Sequence, residues 1–208
     1  MKARAYLQTV VFAASIGALL APSVLAQAPP MPKPSHDYKT AVAGAYLIDP
    51  KHTAIVIRVP HLGFSYSVFR FQTVSAKLNW NPANPGADSL EATVDPKSIT
   101  TAPVEGFSQE LSGEKFMNAE KFPTATFVST GFRPIDATHG EVSGEMTIMG
   151  VKTPLTFEVE LVGAGQEFGR QVIGVSAHTR LDPKAYGLPP FIPGDIELNI
   201  DTEFDKQG

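Results

Sequence analysis

The 208-residue chain carries 17 Lys and Arg against 21 Asp and Glu, a net charge of −4 at pH 7, and it has no cysteine. A modestly acidic protein is a poor partner for nucleic acid or anionic membrane surfaces, which attract basic patches. Without Cys there are no disulfides, no thiolate metal sites and no lipidated N-terminal Cys, so apolar burial must hold the fold.

The chain starts with Lys2 and Arg4, runs apolar from Tyr6 to Leu20 and reaches the small-residue pattern Val24-Leu25-Ala26. This is the make-up of a secretory signal peptide over 1–26, cleaved after Ala26. A membrane anchor fits less well. Gln8, Thr9 and Ser15 interrupt the run, and Pro22 ends it short of the roughly 20 residues a span needs. Cleavage removes two positive charges and no negative one, leaving a net charge of −6. An exported protein with no stable membrane insertion after cleavage is expected.

Residues 27–43 open with four prolines in eight positions and continue with small and polar residues, which predicts a flexible tether. From 44 to 206 the chain reads as one domain of short β segments. Ala45–Ile48 leads through Asp49-Pro50 to Thr53–Val59, then Ser67–Phe71, Ser75–Trp80 and, after a Pro- and Asn-rich loop, Ser89–Asp95. Later segments are Ala125–Phe132, Glu141–Met149, Leu155–Val162, Val172–Leu181 and Ile196–Phe204. In Leu155–Leu161 and Ile196–Phe204 every second side chain is apolar, with Thr202 the exception. A period of two gives each strand one dry and one wet face. Dry faces must close on each other, as a barrel or a sandwich. No internal repeat is evident. Gly163-Ala164-Gly165 reads as a hairpin turn between two strands, and Gly150 as a sharp reversal or bulge.

One segment breaks the period. In Glu105–Phe116 the residues Phe107, Leu111 and Phe116 lie four and five apart, which predicts a short helix with one apolar stripe. It is either a lid over a barrel end or a connector with a hydrophobic underside.

Chemical motifs are sparse. The histidines His36, His52, His61, His139 and His178 are scattered, with no ligand-like spacing and no adjacent Cys, so no metal or other cofactor is expected. Gly174-Val-Ser176-Ala-His178 lacks the second Gly of a nucleophile elbow and sits in a strand pattern. Glu158 and Glu160 lie on a wet face, where solubility explains them. No catalytic residues are assigned and no enzymatic activity is expected. Were there one, His178 and Arg180 would be the first residues to mutate.

Four local patterns carry a resemblance. They are Asp49-Pro-Lys-His52 followed by His61-Leu-Gly-Phe-Ser65, Phe116-Met-Asn-Ala-Glu-Lys-Phe-Pro-Thr-Ala-Thr-Phe127, Met146-Thr-Ile-Met-Gly-Val-Lys-Thr-Pro154, and Tyr186-Gly187-Leu188. In this order and spacing the stretch from Ala45 to Phe204 resembles the YceI-like family of exported proteins. The resemblance implies an all-β fold: an antiparallel, eight-stranded, lipocalin-like barrel with one short helix (about 105–116) near a barrel end. It also implies a periplasmic location and a hydrophobic interior that holds a polyisoprenoid or similar long-chain lipid. The family pattern usually has an Arg-Asp pair just ahead of the helical Leu, where this chain reads Phe107-Ser108-Gln109-Glu110-Leu111. Pro183 and Ala185 replace a further Arg and Asp, and Phe69 replaces a Gly. Charged positions near the barrel mouth are thus apolar or small here.

The aromatic inventory is large, with 13 Phe, five Tyr and one Trp. Core filling is the ordinary role of each ring, but a long apolar tunnel would use the same residue types. The expected ligand-binding residues are Phe69, Phe71, Leu78, Trp80, Phe127, Met146, Ile148, Leu155, Phe157 and Val159, with Phe107, Leu111 and Phe116 as the closing element. The expected function is that of a carrier for a long-chain, isoprenoid-like lipid such as a polyprenoid or a quinone tail. The rivals are a structural or stress-related envelope protein with a packed barrel, and an enzyme acting on a barrel-bound lipid. An antiparallel barrel with exposed edge segments can also form a homodimer, as relatives are said to, and the residues leave that open.

Overall fold

A computed structural model describes residues 31–102 and 104–208; the expected signal peptide lies outside the described residues. The strands are β1 (Gly44–Ile48), β2 (Ala54–His61), β3 (Ser65–Phe71), β4 (Val74–Trp80), β5 (Ser89–Val94), β6 (Ile99–Thr100), β7 (Ala125–Pro134), β8 (His139–Ile148), β9 (Val151–Glu167), β10 (Arg170–Leu181) and β11 (Ile196–Lys206). All pairings between them are antiparallel, within one sheet.

These segments form eight barrel strands. β1 and β2 lie end to end and pair with β4 and β3, while β5 and β6 pair with β4 and β3 from the other side. The rest follow as a meander from β7 to β11. β11 then closes the ring, with Glu197–Asp201 on β2 and Phe204–Lys206 on β1. Closure leaves no long free edge, which is how such barrels avoid edge-to-edge association.

The breaks in the first and third barrel strands have one cause. Asp49-Pro50-Lys51 and Asp95-Pro96-Lys97 each make a 3-10 turn, in which the Asp carboxylate accepts the Lys backbone N–H at 2.8 Å. Proline at the first position presets φ and has no N–H to lose there. The intervening strand bends at Gln72-Thr73, whose backbone N–H groups donate to Ser98 Oγ at 3.2 and 3.0 Å. A third copy, Asp182-Pro183-Lys184, stops β10. The recurrence was not evident as a repeat because the shared unit is a tripeptide corner. Pro183, where the family pattern has Arg, is buried in that corner.

Three expectations need correction. The helix α1 runs only from Phe107 to Ser112, and the chain from Gly113 to Phe116 continues as turns. The tether over 27–43 is docked, not flexible, from Pro34 onward. Ser35 and Ala164 exchange both backbone hydrogen bonds at 2.8 Å, Tyr38 N–H donates to Ala137 O at 3.0 Å, and Ala41 is buried. Gly163-Ala164-Gly165 is not a turn but the interior of β9. The chain reverses instead at Phe168-Gly169, both with positive φ. The glycines clear room for the docked segment, since a Cβ on Gly163 would stand 2.7 Å from Pro34 Cβ.

Candidate functional site

Alternation aims one face of every strand inward, and the inward faces do not meet. They enclose a cavity of about 670 Å3 with an almost entirely apolar wall. Its length can be read along β3 and β4, where Phe69, Phe71, Val74, Ala76, Leu78 and Trp80 all line it. Eleven residue steps at about 3.3 Å, tilted as barrel strands are, make it roughly 25–30 Å long.

The two ends differ. At one end α1 and the loop before β11 lie across the barrel. Phe107 packs edge to face on Phe69, with centroids 6.3 Å apart, and Phe116 on Phe191 at 6.1 Å. Two departures from the family pattern, Phe69 and Phe107, are thus one contact. Around this end Leu62, Phe64 and Phe191 are exposed. At the other end Trp80 packs edge to face on Tyr38 of the docked N-terminal segment, at 6.3 Å, and on Phe132 at 6.5 Å. Between the ends Phe127 and Phe157 meet at 5.1 Å.

Of the residues expected from the sequence, Phe69, Phe71, Leu78, Trp80, Phe127, Met146, Ile148, Phe157 and Val159 line the cavity from the strands, and Phe107, Leu111 and Phe116 line it from the helix end. Leu155 is the correction. It points inward, but packs between the clusters around Phe157 and around Leu181 and does not reach the cavity wall. The expectation missed Tyr38, hidden in a stretch read as a tether, and Phe191, in a loop with no periodic pattern. It also missed the inward residues of β2 and β10, such as Ile57 and Val175.

Few polar groups face the interior. Thr202, the exception in the alternation of β11, is buried, and its hydroxyl meets Thr53 Oγ1 at 2.6 Å; that oxygen in turn donates to Asp49 O. Asp88 is 9 % exposed and lines the cavity beside Trp80. One carboxylate oxygen accepts Asn81 N–H at 2.6 Å, and burial pushes the carboxyl up to about 6. Asp88 was legible by parity: it continues the dry-face series Leu90, Ala92, Val94 backward by one step.

Arg133, paired with Glu141, and His139, paired with Asp136, reach the cavity at the Trp80 end, and two other titratable clusters lie away from it. Asp49, His52 and Glu203 bring possible ligand atoms within 4.8 Å of one another. Arg170 sits on the same cluster, 3.8 Å from Asp49 and 2.6 Å from Asp205, so a protein cation already balances it. A backbone hydrogen bond from Lys51, then the His52 contact, holds the Asp49 carboxyl low, and the Asp49 carboxylate holds His52 up. His178 and Arg180, the residues singled out for an enzymatic reading, are exposed on the outer face. They pair with Glu158 at 3.0 Å and Glu197 at 3.1 Å.

Comparison with known proteins agrees with this architecture. The family model for the YceI-like domain matches residues 46–204. A UPF0312 protein of Vibrio cholerae is 36% identical over 169 residues, covering 77% of this chain and 88% of that protein. The solved structure of a Campylobacter jejuni YceI protein superposes with a TM-score of 0.65 at 26% identity, over 72% of this chain and 91% of that one. A polyisoprenoid binding domain from Saccharophagus degradans shares the fold, with a TM-score of 0.57 at 12% identity, over 80% of this chain and all of that domain (100%).

Proposed function

We propose that this chain, which belongs to the YceI-like family, is a periplasmic carrier that holds a long-chain, isoprenoid-like lipid along its barrel axis. The observation that carries the reading is the shape and chemistry of the cavity: elongated, with an almost entirely apolar wall, and about 670 Å3. That volume lies within the roughly 300–1,000 Å3 of ligand pockets. A narrow tube suits a flexible chain better than a compact polar metabolite. Each buried CH2 contributes about 0.8 kcal/mol, so such a tube binds a chain tightly with few polar contacts.

Supporting the same reading, a fold relative is described as polyisoprenoid binding. The apolar rim of Leu62, Phe64 and Phe191 lies at the helix end, beside the place where a chain would enter. The basic and apolar start of the chain supports export. A packed barrel without ligand expects side chains to fill the middle, and the cavity speaks against that.

Mature protein purified without detergent from its native host is expected to carry lipid, released by organic extraction and identified by mass spectrometry. Protein that yields no lipid and takes up no hydrophobic dye after delipidation would refute the carrier reading.

A further inference from the structure

We propose that the cavity end closed by the N-terminal segment is a head-group subsite, in which Trp80 and Asp88 together hold a neutral hydroxyl at the ligand's polar terminus. The proposal rests on the carrier reading above and adds the ligand's orientation: head against Trp80 and Asp88, tail toward α1.

Among the described residues, five buried side-chain polar atoms have no hydrogen-bond partner: Trp80 Nε1, Asp88 Oδ2, Tyr186 Oη, Glu203 Oε2 and Asp205 Oδ1. Only those of Trp80 and Asp88 belong to residues that line the cavity. The two residues are also neighbours. β4 and β5 pair Leu78 with Leu90 and Asn79 with Ser89, where the ladder ends. Asp88 Oδ1 accepts the N–H of Asn81 at 2.6 Å, which puts the Asp88 side chain beside the residue that follows Trp80. A bare donor and a bare acceptor thus belong to neighbouring residues of the cavity wall, at the end where Tyr38 and Phe132 pack on Trp80. Such orphaned buried groups are uncommon and unfavourable, so a partner is called for.

The chemistry selects that partner. The indole N–H can only donate, and the ionised carboxylate can only accept. One hydroxyl oxygen answers both, accepting from Trp80 and donating to Asp88. A phosphate offers no donor at neutral pH and brings negative charge against Asp88. A quinone carbonyl offers acceptors only. Arg133, at the same end, does not change this balance, because Glu141 pairs with it at 2.5 Å. Asp88 Oδ1 already serves the loop through Asn81 N–H, which leaves Oδ2 for the ligand.

The experiment uses delipidated mature protein and two probes that differ by the donor, geranylgeraniol and its methyl ether. Trp80 is the one Trp in the chain, so its fluorescence reports from the subsite itself. The alcohol is expected to bind about tenfold more tightly than the ether and to shift Trp80 emission. Asp88→Asn keeps an oxygen for Asn81 N–H but places a donor where the acceptor was, and should lose most of that preference. Trp80→Phe keeps an aromatic ring between Tyr38 and Phe132 without the N–H. Followed by dye displacement, it should lose the preference as well. Equal affinity of the wild type for alcohol and ether overturns this proposal and leaves the carrier reading standing, as does a preference that survives both substitutions. Failure to bind either probe overturns both.

Discussion

Phe127 on β7 and Phe157 on β9 meet edge to face with ring centroids 5.1 Å apart, each about 5 % exposed, and both form part of the cavity wall. They are not adjacent in the sheet: β8 lies between them, so the rings reach across it on the inside of the barrel. The pair therefore ties strands together and sets the width of the tube at the same time.

Phe157→Ala is expected to lower unfolding free energy by about 3 kcal/mol, as large-to-small core changes do. A double-mutant cycle with Phe127→Ala should give a coupling of roughly 0.5–1.5 kcal/mol for the ring pair. Urea denaturation of the four proteins measures both. Strictly additive effects would show that the rings only fill space.

Gly144, on the intervening strand, is what lets this happen. A Cβ there would stand 2.5 Å from both Phe127 Cζ and the backbone oxygen of Val128. The ring could swing away, but the carbonyl belongs to the neighbouring strand and cannot. Gly144→Ala should therefore destabilise the barrel by about 2 kcal/mol through overpacking. An unchanged thermal midpoint would refute this account of the close approach.

What the sequence revealed, and what it hid, follows from the range of each signal. The period of two in β9 and β11 is local, and it correctly oriented Phe157, Val159 and Leu155 toward the interior. Whether an inward residue reaches open space is not local. Leu155 has the right parity, yet its neighbours around Leu181 fill the room beside it. The N-terminal segment misled for the same reason. Its prolines describe a chain with few donors of its own, but its docking depends on a clearing made by Gly163 far along the sequence. Asp88 was readable in principle, because an acid on the dry side of a strand is a conflict between residue and position. Such conflicts mark functional sites more often than agreements do.

Asp88 also predicts a pH dependence. Burial raises its carboxyl to about 6 in the folded protein, against roughly 3.9 in an unfolded chain. The folded state therefore holds this proton more firmly. The stability linked to protonated Asp88 is fully present below about pH 4 and is lost as pH rises through 6. Asp49 and Asp136 act in the opposite sense. Their carboxyls are held low, chiefly by backbone N–H groups, and the stability they provide is lost on acidification. Comparing wild type with Asp88→Asn cancels those shared terms. The variant should gain on the wild type between pH 4 and 7, by on the order of 2 kcal/mol after allowing for partial screening. A gap independent of pH, measured by urea denaturation, would mean that Asp88 titrates normally.

The last prediction separates the docked segment from the barrel beneath it. Pro34 rests on Gly163, Ser35 pairs with Ala164, and Tyr38 closes the cavity end against Trp80. Gly163→Ala puts a methyl group 2.7 Å from Pro34 Cβ, which the segment can escape by lifting off. The barrel hydrogen bonds of β9 do not depend on it, so global stability should change by no more than about 0.5 kcal/mol. Two other readouts should move strongly. Trypsin should cut after the exposed Lys39 much faster, and hydrophobic dye should enter the delipidated barrel sooner, because Tyr38 leaves with the segment. If cleavage accelerates while dye entry stays constant, the segment is docked but does not gate the cavity, and access runs only past α1. If neither changes, Pro34 yields locally and the segment is held by Ser35 and Tyr38 alone.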